Sequence, residues 1–458
     1  MSDYDAIVIG AGQAGPPLAM RLAGAGMRVA IVERADVGGT CVNTGCTPTK
    51  TLIASAYAAH MVRRAAEYGI TTNGGPHTDM KRVKARKDAI VEQSRQGLRS
   101  SLEATENCTL LKGHARFLSA HEIDVGGALL KAERCFINVG ARGVVPDVPG
   151  LDQVPYLDNA SIMALDTLPR HLVVMGGSYV ALEFAQMYRR FGTEVTVVER
   201  GPRLAAREDE DVSCAIQKIL EAEGIAIHLG AKVTSVGQRG GGIALTVEGA
   251  PDIAGSHLLL AVGRRPNTDD LGLDAAGVRR DEHDFIEVDD ELRTSKSNIW
   301  ALGDCNGRGA FTHTAYNDFE IVAANLLDLD PRRVSDRIPA YAIYIDPPLG
   351  RVGMTEAQAR QSGRRVLVGQ RPMTKVPRAI EKGETQGFMK LLVDADTKQV
   401  LGASILGPGG DEVVHCVLDL MAAKAPYTVL QRAVHIHPTV SELLPTVLGA
   451  LQPLQKAS

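Results

Sequence analysis

Two cysteines separated by four residues, Cys41 and Cys46, stand in the stretch Gly38-Gly39-Thr40-Cys41-Val42-Asn43-Thr44-Gly45-Cys46-Thr47-Pro48-Thr49-Lys50. Close thiols can brace a fold, hold a metal, or pass electrons by cycling between dithiol and disulfide. Bridging them requires Cα atoms about 4.4–6.8 Å apart. Residues five apart on a regular α-helix rise about 7.5 Å and point in different directions, so this pair cannot close on an undistorted helix. Gly45 and Thr47-Pro48 supply an irregular turn, with Thr47 as cap, Pro48 at the first helical position, and a helix from Thr49 to about Ala66. Cys46 then lies at a helix N-terminus, where the macrodipole favours a thiolate. Taken alone, such a spacing more often marks two buried structural thiols, so the rest of the chain decides.

The chain has 458 residues, 45% hydrophobic and 23% charged, with a formal charge of −4. That length suits about three domains, and the charge gives no footing for nucleic acid or an anionic membrane. Basic residues gather between Arg63 and Arg99 (Lys81, Arg82, Lys84, Arg86, Lys87), mixed with Ala, Val and Ile, and read as the solvated face of a helix. Tyr4 to Gly10 already reads as a buried strand, so no secretory signal is expected. No apolar run reaches the ~18 residues of a membrane span. Seven scattered cysteines, an odd number, do not make a secreted disulfide framework. A cytoplasmic protein is expected, and no residue set is assigned to a metal.

Asp5 to Ile9 is a continuous apolar run ending in Gly10-Ala11-Gly12-Gln13-Ala14-Gly15, followed by a helical stretch to about Ala25 and a strand closing on Glu33. Strand, glycine turn, helix, strand and acid in this order make a dinucleotide fold. Gly10 forms the tight turn, Gly12 lets backbone approach a pyrophosphate, Gly15 lets helix pack on strand, and Glu33 sits where a carboxylate takes ribose hydroxyls. Pro16 and Pro17 are tolerable because first-turn N–H groups lack partners anyway. A polar loop (71–79), a long helical pattern to about Ala104 and short alternating strands from Gly113 lead to the apolar strand Cys135 to Val139, which meets Gly140. Pro146 to Pro149 reads as a linker. A second fold of the same kind begins at His171. It carries Gly176-Gly177-Ser178-Tyr179-Val180-Ala181-Leu182-Glu183, with Ser178 and Ala181 in the second and third glycine places, and a strand that ends at Glu199. It closes at Leu258 to Gly263. Asn298 to Gly303 then delivers Asp304 at the carboxyl end of a strand, where open α/β sheets bind ligands. Beyond Pro339 alternating strands and helices describe a third, α+β domain containing His435-Ile436-His437-Pro438 and Glu442.

The cysteine stretch, both glycine turns, Gly303-Asp304 and His437-Pro438-x3-Glu442, in this order, resemble the flavin-dependent pyridine nucleotide–disulfide oxidoreductases along nearly the whole chain. The resemblance implies an α/β protein with two Rossmann-like nucleotide-binding domains and a C-terminal dimerisation domain. Its parts would be 1–148 for FAD, 149–270 for NAD(P), 271–338 returning to the FAD domain, and 339–458 for dimerisation. It implies FAD on Gly10, Gly12, Gly15 and Glu33, with further contacts from Gly39, Thr40, Lys50, Ala115, Gly140, Gly303 and Asp304. It implies NADH or NADPH on Gly176, Ser178, Tyr179, Glu199, Arg200 and Gly263. Tyr179 would cover the flavin face and Lys50–Glu183 would be the ion pair beside the reactive flavin nitrogen. Cys46 would be the thiolate nearer the flavin and Cys41 the thiol that meets substrate. His437 would be the acid/base, with its ring held by Glu442. The domain carrying His437 would lend it to a partner's cysteines, which implies a homodimer.

Within the family the substrate signals are mixed. Gly-Gly-Ser-Tyr-Val-Ala-Leu-Glu and Gly-Gly-Thr-Cys-Val-Asn lean toward mercuric reductases, yet Leu454 to Ser458 hold no vicinal cysteine pair. Mercuric reductases also lack the histidine base that His437 would be. Dihydrolipoamide dehydrogenases place a small residue where Phe319 stands in His313-Thr314-Ala315-Tyr316-Asn317-Asp318-Phe319. That run looks more like the bacterial flavoproteins induced by reactive chlorine species, which are linked to hypothiocyanous acid or copper(II). Val139 stands in place of the family's usual threonine, which removes one hydrogen bond worth about 1 kcal/mol. Glu199 favours NADH over NADPH, although Arg200 and Arg203 follow it. The expected enzyme passes electrons from NAD(P)H through Cys41/Cys46 to a small disulfide, oxidant or metal ion. Dihydrolipoamide dehydrogenase, mercuric reductase and a flavin-binding scaffold without turnover are the alternatives.

Overall fold

Strands β1 (Ser2–Ile9), β2 (Val29–Glu33), β3 (Cys108–Lys112), β4 (Ala115–Phe117), β5 (Glu122–Val125) and β6 (Ala128–Ile137) form a sheet in the order β3-β2-β1-β6-β5-β4. The β3–β2–β1–β6 part is parallel and the β6–β5–β4 ribbon antiparallel. The computed structural model describes residues 2–71, 75 and 77–455. Both faces of the parallel part are covered, which is why β1 and β2 read as apolar runs without alternation: Ala6, Ile7, Val8, Ala30 and Ile31 are wholly buried. A seventh strand, Ile299–Ala301, joins β6 in parallel, so a segment far along the chain completes the first sheet.

Helix α1 (Gly15–Gly24) follows the first glycine turn with Pro16 and Pro17 in its first turn, where the missing N–H groups cost nothing. The cysteines fall on two helices, α2 (Gly39–Thr44) and α3 (Cys46–Arg63). Here the structure departs from the sequence reading. The break is at Gly45 alone (φ −134°, ψ −119°), α3 begins at Cys46 rather than Thr49, and it ends at Arg63 rather than near Ala66. Thr47 does not cap; its carbonyl accepts the Thr51 hydroxyl at 2.8 Å. The physical reason is that a Cβ at Gly45 would lie 2.8 Å from the Thr40 carbonyl oxygen, so the chain turns where only glycine fits.

Helix α4 (Met80–Glu103) is capped by Asp79, which accepts from the Arg82 N–H at 3.1 Å. Part of the polar loop read before it, 72–74 and 76, lies outside the described residues. The basic face of α4 is not simply solvated. Lys87 is buried, Arg86 donates to the Thr51 carbonyl at 3.0 Å and Arg95 to Asn43 Oδ1 at 3.0 Å. These contacts pack α4 against the helices that carry the cysteines.

The second sheet is parallel, ordered Ala226–His228, Glu194–Val198, His171–Met175, His257–Leu260. Helix α5 (Tyr179–Phe191) crosses it with ten buried residues. A two-stranded ribbon, Ala141–Gly143 with Arg264–Pro266, ties the segment leaving the first sheet to the segment leaving the second. The third sheet is antiparallel and six-stranded: Ala340–Ile343, Leu349–Gly353, Val400–Leu406, Phe388–Asp394, Val366–Pro372 and Gln452–Pro453. The last strand follows a short apolar helix, Leu444–Gly449. Among the described residues no helix is long and apolar enough to cross a membrane.

Candidate active site

Gly45 separates the six-residue α2 from the 18-residue α3 so that Cys41 and Cys46 face each other as free thiols, Cys41 half-buried and Cys46 exposed. Cys46 is the first residue of α3, and Thr312, the first residue of the Thr312–Ala323 helix, brings its hydroxyl to 3.2 Å from Cys46 Sγ. A hydrogen bond from Cys41 is the largest influence on Cys46. Burial opposes it, but Thr312 and the charge of Lys50 add to it, and the thiol is held down to about 6 against an ordinary value of 9.0. Cys41 is pushed far above the ordinary range by that same hydrogen bond, by burial and by the charge on Cys46. The reduced pair therefore keeps its one proton on Cys41 and its negative charge on Cys46.

Lys50, one turn along α3, reaches Glu183 of α5 at 2.8 Å. Glu183 is nearly fully buried, and its second oxygen accepts the Tyr344 N–H at 2.9 Å. Lys50 Nζ also lies 4.6 Å from the centroid of the Tyr344 ring. Tyr179 opens α5 beside this pair, its ring 5.7 Å from that of Phe311. The first sheet's cysteine helix, the second fold's α5 and a loop of the third sheet thus meet at one point.

The glycines make tight cradles. An added Cβ would lie 2.3 Å from the Asn138 carbonyl oxygen at Gly10 (φ +102°), 2.1 Å from the Gly10 carbonyl oxygen at Gly15, and 2.7 Å from Gly12 Cα at Gly39 (φ +60°). Bare backbone closes on bare backbone around the start of α1, the arrangement a pyrophosphate requires. Glu33 reaches into the same turn and accepts the Ala11 N–H at 2.8 Å. Asp304 follows the seventh strand; burial pushes its carboxyl up while Arg264, 3.5 Å away, pulls it down. Gly303 stands beside Asn138 and Ala315, and its N–H donates to Asp318 at 2.8 Å. Gly140 has open space where a Cβ would be, Ala115 is buried at the start of β4, and Thr40 is half-buried on α2. In the second cradle a Cβ at Gly176 would meet the Ala261 carbonyl oxygen at 2.4 Å. Ser178 precedes α5, Gly263 has φ +139°, and Glu199 accepts the Gly201 N–H at 2.6 Å with Arg200 exposed beside it. Both cradles fit a dinucleotide.

His437 is set apart from all of this. Its Nδ1 lies 3.0 Å from Glu442 Oε2, its side chain is 72% exposed, and no hydrogen bond or ion pair among the described residues joins it to either cysteine. Val434 (99% exposed) and Ile436 (80%) flank it, so the histidine is presented on an uncovered apolar tip.

Sequence reasoning passed over four neighbours: Thr312 at Cys46, Tyr344 at Lys50, Phe311 at Tyr179, and Asn138, whose side chain donates to the Gly10 carbonyl at 3.3 Å. Only Asn138 had a local signal, a buried amide at the end of an apolar strand. The others arrive by tertiary packing.

Two family models match. Pyridine nucleotide-disulphide oxidoreductase covers residues 4–318, and the dimerisation domain of the same name covers 339–448. The chain is 37% identical over 453 residues to the probable pyridine nucleotide-disulfide oxidoreductase RclA of Escherichia coli (strain K12), covering 97% of this chain and 98% of that one. It is 34% identical to a mercuric reductase of Streptomyces lividans (96% and 94% covered) and 33% identical to a dihydrolipoyl dehydrogenase of Thermus scotoductus (98% of each). The solved structure of the HOCl-induced flavoprotein disulfide reductase RclA from Escherichia coli superposes with a TM-score of 0.90 over 97% of this chain and 99% of that one, at 37% identity.

Proposed function

The chain belongs to the pyridine nucleotide-disulphide oxidoreductases, and from that premise we propose that it reduces a small disulfide, oxidant or metal ion through Cys41 and Cys46 at the expense of NAD(P)H. The observation that carries the reading is the unequal thiol pair: an acidified Cys46 under Lys50 and Thr312, and a Cys41 that keeps its proton. Bound in the first cradle, FAD supplies the two-electron chemistry that links a reduced nicotinamide to a disulfide. Gly10, Gly12, Gly15, Glu33, Gly39, Thr40, Lys50, Ala115, Gly140, Gly303 and Asp304 would hold it. Gly176, Ser178, Tyr179, Glu199, Arg200 and Gly263 would hold the nicotinamide dinucleotide, and Glu199 favours NADH.

The residues divide the proton and electron work. Because Cys41 holds the proton, a base must remove it before this thiol attacks substrate, and His437 oriented by Glu442 is the base in this reading. With a disulfide substrate, the Cys41 thiolate attacks one sulfur and a mixed disulfide forms. The leaving thiolate takes the proton from His437. Cys46 then attacks Cys41, the second product leaves as a thiolate, and the Cys41–Cys46 disulfide is restored, so that one thiol and one thiolate are released for the substrate disulfide broken. Since His437 is exposed and, among the described residues, makes no hydrogen bond or ion pair to either cysteine, the site in this reading is completed by the dimerisation domain of a second copy, in a homodimer.

The relatives divide on the acceptor: mercuric ion, dihydrolipoyl groups, and, for a protein solved also as a Cu(II) complex, a disulfide reductase induced by HOCl. The Phe319 run favours the last of these. NADH oxidation by the FAD-loaded enzyme, measured with hypothiocyanous acid, Cu(II), Hg(II), lipoamide and glutathione disulfide, is expected to rank hypothiocyanous acid or Cu(II) first. A panel led by lipoamide would make it a dihydrolipoamide dehydrogenase. Unchanged turnover of every acceptor in Cys41→Ala would replace the thiol relay with direct flavin chemistry.

A further inference from the structure

Lys50 must satisfy two opposed demands. Its positive charge favours the Cys46 thiolate, whereas the charge of Glu183, its ion-pair partner, works against that thiolate. A lysine drawn wholly onto its carboxylate would present a neutral pair to the sulfur. What else holds Lys50 is therefore decisive, and the structure provides an uncharged holder: the Tyr344 ring, 4.6 Å from Nζ to centroid. An aromatic face attracts an ammonium through its quadrupole. That field falls off faster with distance than the field of a charge, so the ring steadies the cation without cancelling it at Cys46.

Tyr344 is itself fixed to the element that carries Glu183. Three residues on one face of α5, Glu183, Gln186 and Arg190, grip the loop that holds it. Glu183 accepts the Tyr344 N–H at 2.9 Å, and Gln186 exchanges two hydrogen bonds with the Asp346 backbone at 2.7 and 2.8 Å. Arg190 pairs with the Asp346 carboxylate at 2.6 Å. The i, i+3, i+7 spacing puts all three on one stripe of the helix. The ring therefore takes its place over Lys50 together with the carboxylate.

We propose that Tyr344 is a positioning residue of the reductase: its ring holds the Lys50 ammonium between Glu183 and Cys46, and so sets how much of the Lys50 charge reaches the reactive thiolate. This rests on the reading of Lys50–Glu183 as part of the redox site. The titratable groups that bear on the sulfur are Cys41, Lys50 and Glu183, with the phenols of Tyr179 and Tyr344 beside it, and the carboxylates of Asp411 and Glu412 lie on the Tyr344 side.

The test is the pH profile of Cys46 alkylation in the reduced, FAD-loaded protein, followed at the Cys46 peptide by mass spectrometry. Tyr344→Phe keeps the ring face and should keep the wild-type midpoint. Phenylalanines carrying increasing numbers of ring fluorines at position 344 weaken the quadrupole at nearly constant shape, and should raise the midpoint step by step to about half a pH unit. Tyr344→Leu should move it as far or farther. The fluorinated series keeps the test valid if Tyr344→Leu fails to fold. A flat midpoint across that series, with Lys50→Met still raising it, would overturn the role of the ring. A midpoint indifferent to Lys50→Met as well would show that the ion pair does not govern Cys46, and both readings would fall.

Discussion

Two lysines in this molecule end on carboxylates at junctions between its sheets, and they are built in opposite ways. Lys390, on a strand of the third sheet, is 2% exposed and reaches Asp209 at 2.9 Å, Asp211 at 2.6 Å and Glu356 at 2.7 Å. Arg351 joins the cluster at 3.3 Å from Asp209. Burial opposes charge on Lys390 and on Asp209, yet hydrogen bonds to Asp211 and Glu356 hold the ammonium up, and Lys390 and Arg351 hold the Asp209 carboxyl down, so both stay charged. Lys50 is 33% exposed and has one carboxylate and one aromatic face. The first lysine is surrounded by more negative charge than it carries, so its field ends in the cluster. The second is left undersatisfied, and its field extends to Cys46. A surplus of partners makes a clasp between the second fold and the third sheet; a deficit makes an electrostatic tool.

Breaking the clasp should have the largest effect. Lys390→Met leaves three carboxylates with a single buried cation, and loss of one partner from a buried pair costs about 3–5 kcal/mol. Chemical denaturation should show that loss, while kcat per bound flavin in the folded fraction stays near wild type. A kcat that falls with stability would mean that the clasp also shapes the site.

Lys50→Met should act chiefly on the thiol. It also leaves the nearly fully buried Glu183 without its cation, so some stability is lost, but the reading that matters is the Cys46 midpoint, which should rise from about 6 by roughly one pH unit. The linkage has a definite sign. In the reduced protein the Cys46 thiolate favours the fold fully above the ordinary value of 9.0, and the contribution is lost as pH falls to about 6. Unfolding free energy of the reduced wild type should therefore decline across that window more steeply than that of Lys50→Met. Equal slopes would place the control of Cys46 elsewhere.

A third substitution separates charge from hydrogen bonding at the same sulfur, where the Thr312 hydroxyl weighs more than the Lys50 charge. Thr312→Val removes the hydroxyl 3.2 Å from Cys46 at constant shape. The midpoint should rise by about one unit, at least as far as in Lys50→Met, in keeping with a hydrogen bond to a charged group. A shift well below that of Lys50→Met would make the ammonium, not the hydroxyl, the larger support of the thiolate.

The parts legible in the sequence are those whose geometry is local. Gly10, Gly15 and Gly176 sit where a Cβ would strike backbone, so the turns could be read from residue type alone. The α/β class followed from apolar runs that end in such turns. Gly45 was recognised as a break, but Thr47 was misread as a cap because its spacing also suited one; the structure shows that backbone crowding at Gly45 decides. Lys87 was misread as solvated because nothing near it in sequence announces the packing of α4 on α3. Thr312 comes to Cys46 across 266 residues and Tyr344 to Glu183 across 161, and neither carries a periodicity or spacing that points to its partner. Lys50, Glu183, His437 and Glu442 were found only because family resemblance supplies long-range pairing that composition does not.

In the relay proposed for this enzyme, Cys41 and Cys46 store an electron pair in addition to the one that a flavin takes. Anaerobic titration of the oxidised, FAD-loaded protein with dithionite measures this directly. The wild type should take up two electron pairs per flavin, and Cys41→Ser and Cys46→Ser one each, because neither variant can form the disulfide. Equal uptake by all three proteins would show that the two thiols lie outside the electron path.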